Sequence, residues 1–175
     1  MFSFLKILVN NVIKGPSTDP YPFGPTFEPA ALRGKIKFDE EKCVLCNTCV
    51  HVCAGGAIKI QENKEKTGQD FIVWHNTCAF CGLCEHYCPT KAIKLTNDYH
   101  MAHSQEDKYK YIEKGFVKYS LCSCCKKPMD PVVPELLNVA YTQTNESTKE
   151  MMEMCPACRQ IKNAELLQGG NSYER

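Results

Sequence analysis

No run of apolar residues approaches the roughly 20 needed to span a bilayer, so a membrane-crossing helix is not expected. The opening stretch MFSFLKILVNNVIKG is apolar but has no basic n-region and no small-residue cleavage site. Asn10 and Asn11 interrupt it, and no secretory leader is expected. Flavin and nucleotide motifs are missing, as are a G-x-G-x-x-G run and a nucleophile–base pair, which argues against a catalytic residue in this chain. The formal net charge is only +1, with lysines and acids interspersed, and gives no reason to expect a nucleic-acid partner. Hydrophobic residues make up 43% of the 175, enough for a modest core in one domain or two small ones.

Cysteine is what the chain has in excess, with 13 residues. In a secreted protein that number would suggest a disulfide framework. Here the cysteines fall in tight C-x-x-C groups, so thiolates bound to metal in the cytoplasm are the better reading.

Four segments are expected. Residues 1–34 form an N-terminal helix and a proline-rich docking arm. Phe4, Leu5, Leu8, Val12 and Ile13 follow helical spacing up to Gly15-Pro16, and five prolines between residues 15 and 34 keep the arm extended. The helix either folds onto the chain's own core or docks on a partner subunit or near a membrane surface. Residues 35–99 form the ferredoxin-type domain, 100–168 a C-terminal module resembling a zinc ribbon, and 169–175 a flexible tail. In the C-terminal segment, 134–142 and 147–154 look helical.

The middle segment is an internal repeat. A shift of 35 positions places Cys43, Cys46, Cys49 and Cys53 on Cys78, Cys81, Cys84 and Cys88, and Ala57-Ile58-Lys59 on Ala92-Ile93-Lys94. Each copy predicts strand, cysteine loop, short helix and strand, with strands at 35–38, 57–61, 71–74 and 92–96 and a turn at 62–70 containing Gly68. The fold class is α+β, a pseudo-twofold bacterial-ferredoxin unit. It is too small to be stable on apolar burial alone, so its clusters should be part of the core.

Each copy carries C-x-x-C-x-x-C-x-x-x-C. Three cysteines at this spacing reach three corners of a cubane from one tight loop, and the fourth points away to the other cluster. Cys43, Cys46, Cys49 and Cys88 are therefore expected to hold one [4Fe–4S] cluster, and Cys78, Cys81, Cys84 and Cys53 the second. Small residues (Ala79, Gly82, Gly55, Gly56) should let backbone N–H groups approach the sulfurs. His51 and His86, equivalent in the repeat, are expected to be exposed helix residues. Ala54 replaces the proline that follows the second motif, Pro89, and removes no ligand.

Cys122, Cys125, Cys155 and Cys158 form two more C-x-x-C pairs, suited to tetrahedral four-sulfur coordination of structural zinc or of a single iron. Cys124 is spare or an alternative to a neighbour. A disulfide or idle thiols would also fit the spacing. A nickel–iron active site does not, because Arg159 follows Cys158 and no histidine lies close to either pair.

The N-terminal helix, the arm with Tyr21-Pro22, the phrase Leu32-Arg33-Gly34 and both cysteine runs resemble the small two-cluster subunit of complex-I-like assemblies. The phrases LCSCCKKP and MCPACRQ narrow this to a resemblance to the ferredoxin-like component of formate hydrogenlyase and its hydrogenase-4 relatives, which are energy-converting membrane-bound [NiFe] hydrogenases. The resemblance implies an electron-transfer subunit on the cytoplasmic face of the inner membrane, attached through its complex. Its implied partners are a formate-dehydrogenase-linked iron–sulfur donor subunit and the hydrogenase small and large subunits. A free ferredoxin shuttle would explain residues 35–98 but not the flanks. The equivalent subunit of a quinone-reducing complex I would share the first hundred residues, without the extra four-cysteine module.

Overall fold

The computed structural model describes residues 2–140 and 145–169. Helix α1 (Phe2–Lys14) ends where Gly15 takes a left-handed conformation (φ 74°) and returns its N–H to the Asn11 carbonyl at 3.0 Å. Its apolar side chains find little cover among the described residues. Phe4 remains 70% exposed and Ile13 78%. The helix is thus not folded onto the chain's own core.

The arm is fastened rather than loose. Tyr21, joined to Pro22 by a cis bond, stacks on Tyr99 and His100, and its hydroxyl accepts from the N–H groups of Met101 and Ala102, both at 3.2 Å. Thr26 hydrogen-bonds Tyr99, Glu28 pairs with His100 at 3.3 Å, and Lys35 pairs with Asp98 at 2.9 Å. An extended chain with few backbone partners of its own is held here by side chains from the far end of the repeat.

The repeat folds as two strand pairs with a short helix in each copy. Strand β1 (Ile36–Phe38) leads to α2 (Thr48–His51), then to β2 (Ile58–Glu62) and β3 (Gly68–Trp74), then to α3 (Leu83–Tyr87) and β4 (Ile93–Leu95). The first and last strands pair antiparallel (Ile36 opposite Leu95), as do the middle two (Ile58 opposite Val73). Period-two patterning buries Phe71 and Val73 on one face of β3. They join Ile36, Ile58 and Ile93 in the core, where Phe38 stacks on Phe71 with ring centroids 3.8 Å apart. Cys84 is buried in the same cluster, and Cys49, Cys53 and Cys78 pack against it. The cysteine loops and the apolar core are one body.

Two expectations are corrected here. Gly68 is not a turn residue. Asn63 makes the turn, its side-chain oxygen accepting from the N–H groups of Thr67 (2.9 Å) and Gly68 (3.3 Å). Gly68 opens β3, where a Cβ would stand 2.3 Å from the Val117 carbonyl. That close neighbour belongs to β5 (Ile112–Lys118), which adds along the whole of β3 from Gly68 opposite Lys118 to Trp74 opposite Ile112. The ferredoxin sheet therefore extends past the expected boundary at residue 99 and takes a strand from the segment assigned to the C-terminal module.

Beyond it, β6 (Ser120–Leu121) and β7 (Pro128–Met129) form a small hairpin, followed by α4 (Pro134–Ala140), α5 (Glu146–Met152) and α6 (Pro156–Gly169). Asn145 caps α5, accepting from the Thr148 N–H at 2.8 Å. Helix α6 was not anticipated. Residues 141–144 and 170–175, which include the end of the first expected helix and most of the expected tail, lie outside the described residues.

Candidate metal centres

The cysteine loops owe their shape to left-handed residues that recur with the 35-residue repeat. Leu45 (φ 55°) corresponds to Phe80 (φ 49°), Asn47 (φ 59°) to Gly82 (φ 80°), and Gly56 (φ 58°) to Lys91 (φ 56°). Such conformations cost a non-glycine residue about 1–3 kcal/mol and persist where the surroundings impose them. Here they turn successive N–H groups toward sulfur, the arrangement that makes an anion-binding concavity. Ala57 donates to Cys53 Sγ and its repeat partner Ala92 to Cys88 Sγ, both at 3.2 Å, and Phe80 donates to Cys78 Sγ at 3.4 Å. Sequence reasoning anticipated small residues near sulfur but not Leu45 and Phe80 in the left-handed region. Matching positions in the two copies were the available signal.

Helices α2 and α3, which precede Cys53 and Cys88, pack against each other. The thiols of the two copies act on one another. Burial raises the Cys43 thiol above its ordinary value, the Leu45 N–H opposes this, and Cys46 and Cys88 add to the rise. Cys49 is pushed up to about 12 by burial first, then by Cys43 and Cys46, with Cys84 contributing last. Burial also raises Cys78, opposed by the Phe80 N–H and reinforced by Cys53 and Cys81. Cys84 reaches about 11 through burial, opposed by the Glu85 N–H and reinforced by Cys78, Cys53 and Cys81. Cys43 thus feels Cys88, and Cys78 and Cys84 feel Cys53, while Cys49 feels Cys84 across the two copies. Sulfur donors in fours, lined by N–H groups and set in an apolar core, fit an iron–sulfur cubane, and ligation displaces the protons these thiols hold at neutral pH. His51 and His86 are exposed on α2 and α3.

A third group lies in the C-terminal module. The Sγ atoms of Cys122, Cys125, Cys155 and Cys158 all fall within 4.8 Å of one another, and Cys125 and Cys155 are 3.7 Å apart. A tetrahedron with metal–sulfur bonds of ~2.3 Å has edges of ~3.8 Å, so the four could hold a metal ion. Exposed Cys124 lies outside the set. The first pair sits on the β6–β7 knuckle, where Lys126 is left-handed (φ 59°) and donates to the Cys122 carbonyl. The second pair straddles the start of α6. Cys122, fully buried, is lowered to about 6, first by the N–H of Cys125 and then by that of Cys155, which stands 3.2 Å from its sulfur. Cys155 is lowered by the Cys158 N–H foremost, while Cys158 is raised by the thiols of Cys155 and Cys125. Four sulfurs this close concentrate negative charge that a cation relieves.

A family model described as a 4Fe-4S dicluster domain matches residues 42–92, so the repeat is such a domain. NAD(P)H-quinone oxidoreductase subunit I of Trichodesmium erythraeum is 31% identical over 144 residues, spanning 78% of this chain and 66% of the relative. Its counterpart in Picosynechococcus sp. is 33% identical over 144 residues, spanning 78% of this chain and 68% of the relative. The chain belongs to the NAD(P)H-quinone oxidoreductase subunit I family. It spans about two thirds of the length of these subunit I relatives. A chain from the structure of the membrane-bound sulfane sulfur reductase, an archaeal respiratory membrane complex, superposes with a TM-score of 0.42 at 22% identity, covering 58% of this chain and 56% of that one.

Proposed function

We propose that the chain is an iron–sulfur electron-relay subunit of a membrane respiratory complex, with Cys43, Cys46, Cys49 and Cys88 on one [4Fe–4S] cluster and Cys78, Cys81, Cys84 and Cys53 on the other. The observation that carries this reading is the dicluster match over residues 42–92, which holds all eight cysteines, and the action of Cys88 on Cys43 and of Cys53 on Cys78 and Cys84 supports an exchange of fourth cysteines. Bound there, the clusters supply one-electron redox chemistry. The protein's own part is to exclude water with the β3 core, to aim N–H groups at sulfur and to hold the two loops adjacent, the factors that set cluster potential. Anaerobic analysis of the purified chain should find eight iron and eight acid-labile sulfides in this domain. Zinc alone, without labile sulfide, would sink the proposal.

Within the subunit I family, the four-cysteine module favours a setting like that of hydrogenase-4 or formate hydrogenlyase. There the chain would pass electrons between an iron–sulfur donor subunit and a [NiFe] hydrogenase small subunit at the cytoplasmic face of the inner membrane. The names of the subunit I relatives favour the second reading, a quinone-reducing complex. A complex purified through this chain that contains a [NiFe] large subunit and evolves hydrogen supports the first, and one that reduces quinone and lacks nickel supports the second.

No helix among the described residues is long and apolar enough to cross a membrane, so attachment falls to the exposed face of α1. Deleting residues 1–16 should leave both clusters formed and remove the chain from the complex. Normal co-purification of the truncated chain would refute this role for α1.

A further inference from the structure

The C-terminal module shares a cleft with the first cysteine loop. One cleft of 610 Å³ includes both Cys46 and Cys155 in its wall, with Val44 beside Cys43 and Pro89 beside Cys88. Two of the proposed ligands' neighbours and one ligand itself thus face the same space as the four-cysteine site. Arg159, the residue after Cys158, also lines it. Its Nε is buried without a hydrogen-bond partner, and among the described residues no carboxylate lies within 4.0 Å of its guanidinium, although Glu62 and Asp130 border the cleft. Arg159 as a whole is only half-buried, but an Nε–H covered without a partner is costly, and a nearby anion offsets that cost. A cubane carrying four thiolates is such an anion, and it becomes more negative when it takes up an electron.

We propose that Arg159 is the cation that sets the reduction potential of the cluster held by Cys43, Cys46, Cys49 and Cys88, and that the four-cysteine site keeps it in place. The first half follows from charge. A fixed positive group stabilises the reduced cluster more than the oxidised one and raises the potential. The second follows from connectivity. Arg159 is one peptide bond from Cys158, and its N–H donates to the Cys155 carbonyl at 3.0 Å, so metal at that site fixes the start of α6 and with it the guanidinium. The module then acts on the relay through an electric field, whether or not its metal changes oxidation state. The inference rests on the ligand assignment proposed above, and the test separates the two.

The experiment is a redox titration of the full chain followed by paramagnetic resonance, with iron and sulfide counted first. Wild-type chain without eight of each would fail the cluster assignment itself. Given full clusters, Arg159→Gln should lower one of the two midpoint potentials and leave the other. At a fixed poise the reduced-to-oxidised ratio of that cluster should fall about tenfold, ~59 mV for one electron. Arg159→Lys, which keeps the charge, should stay near the wild-type value. The double variant Cys155→Ser, Cys158→Ser, which frees the arginine without altering it, should lower the same potential. The proposal is overturned if Arg159→Gln with full clusters moves neither potential or both alike, or if Arg159→Lys shifts as far as the glutamine variant. Should Arg159→Gln lose its clusters, an unmoved potential in the double variant overturns it equally.

Discussion

Cys53→Ala is expected to remove the cluster of the Cys78 loop and to spare the one built on its own loop. Half of the iron and half of the labile sulfide should go. The expectation comes from where the residue lies, after α2, which packs on α3 of the other copy. Cys53 raises the thiols of Cys78 and Cys84, whereas the distant cysteine acting on Cys43 is Cys88. Serine is a poorer control than alanine, because its oxygen can take the vacated position. The mirror variant Cys88→Ala should remove the other cluster, giving two half-loaded proteins with different paramagnetic signals. If Cys53→Ala instead lost the signal that Cys88→Ala loses, the ligand exchange would be wrong. Either variant should also loosen the core, since Cys84 is buried among Ile36, Ile58, Phe71, Val73 and Ile93, while Cys49, Cys53 and Cys78 pack against them.

The second large effect is expected from Cys155→Ser combined with Cys158→Ser. Among the described residues from 120 onward, only Cys122 and Val133 are buried apolar side chains. Two such residues cannot hold a hairpin and three helices together, so metal binding is expected to supply the difference, which at a structural zinc site amounts to about 10–16 kcal/mol. Hydrogen exchange of the variant should show lost amide protection from β6 through α6, with protection kept in β1 to β5 and both clusters still giving their spectra. Unchanged protection in the C-terminal segment would show that the module folds without metal. Metal analysis of the wild-type full chain then gives the ion. Zinc supports an anchor, since it has no redox couple. Iron with a reversible signal would make the site a third relay.

The repeat was legible in the sequence because a shift of 35 residues aligns ligands and strands together, and two aligned copies constrain each other's boundaries. The four-cysteine set was legible because a metal knuckle needs its C-x-x-C reach, and the structure brings Cys122, Cys125, Cys155 and Cys158 together. What the sequence concealed was decided by distant contacts. Strand β5 reads as a charged stretch because its exposed positions Lys114 and Lys118 belong to a sheet edge, where charge keeps edges from pairing further, while Glu113 accepts from the Phe38 N–H at 3.1 Å. Helix α6 has a weak apolar stripe, with Leu166 and Leu167 exposed, and starts within the cysteine knuckle that Cys155 and Cys158 complete. The clasp on the arm depends on Tyr21 meeting Tyr99 and His100 across more than seventy residues, which no local pattern encodes.

Between β5 and β6 there is a single residue, Tyr119. Its N–H donates to the Thr67 carbonyl at 3.0 Å and its hydroxyl accepts from Gln69 Nε2 at 2.9 Å, so even this residue is pinned to the neighbouring strand. The two metal-bearing halves are therefore joined without a swivel. Adding one residue at this junction would turn the following hairpin to the opposite face of the sheet and advance it by ~3.3 Å. Cys122 and Cys125 would then aim away from α6 while every ligand was still present in the sequence. Tyr119 works as a spacer of fixed length, and the distance between the four-cysteine set and the first cysteine loop is written into the count of residues there.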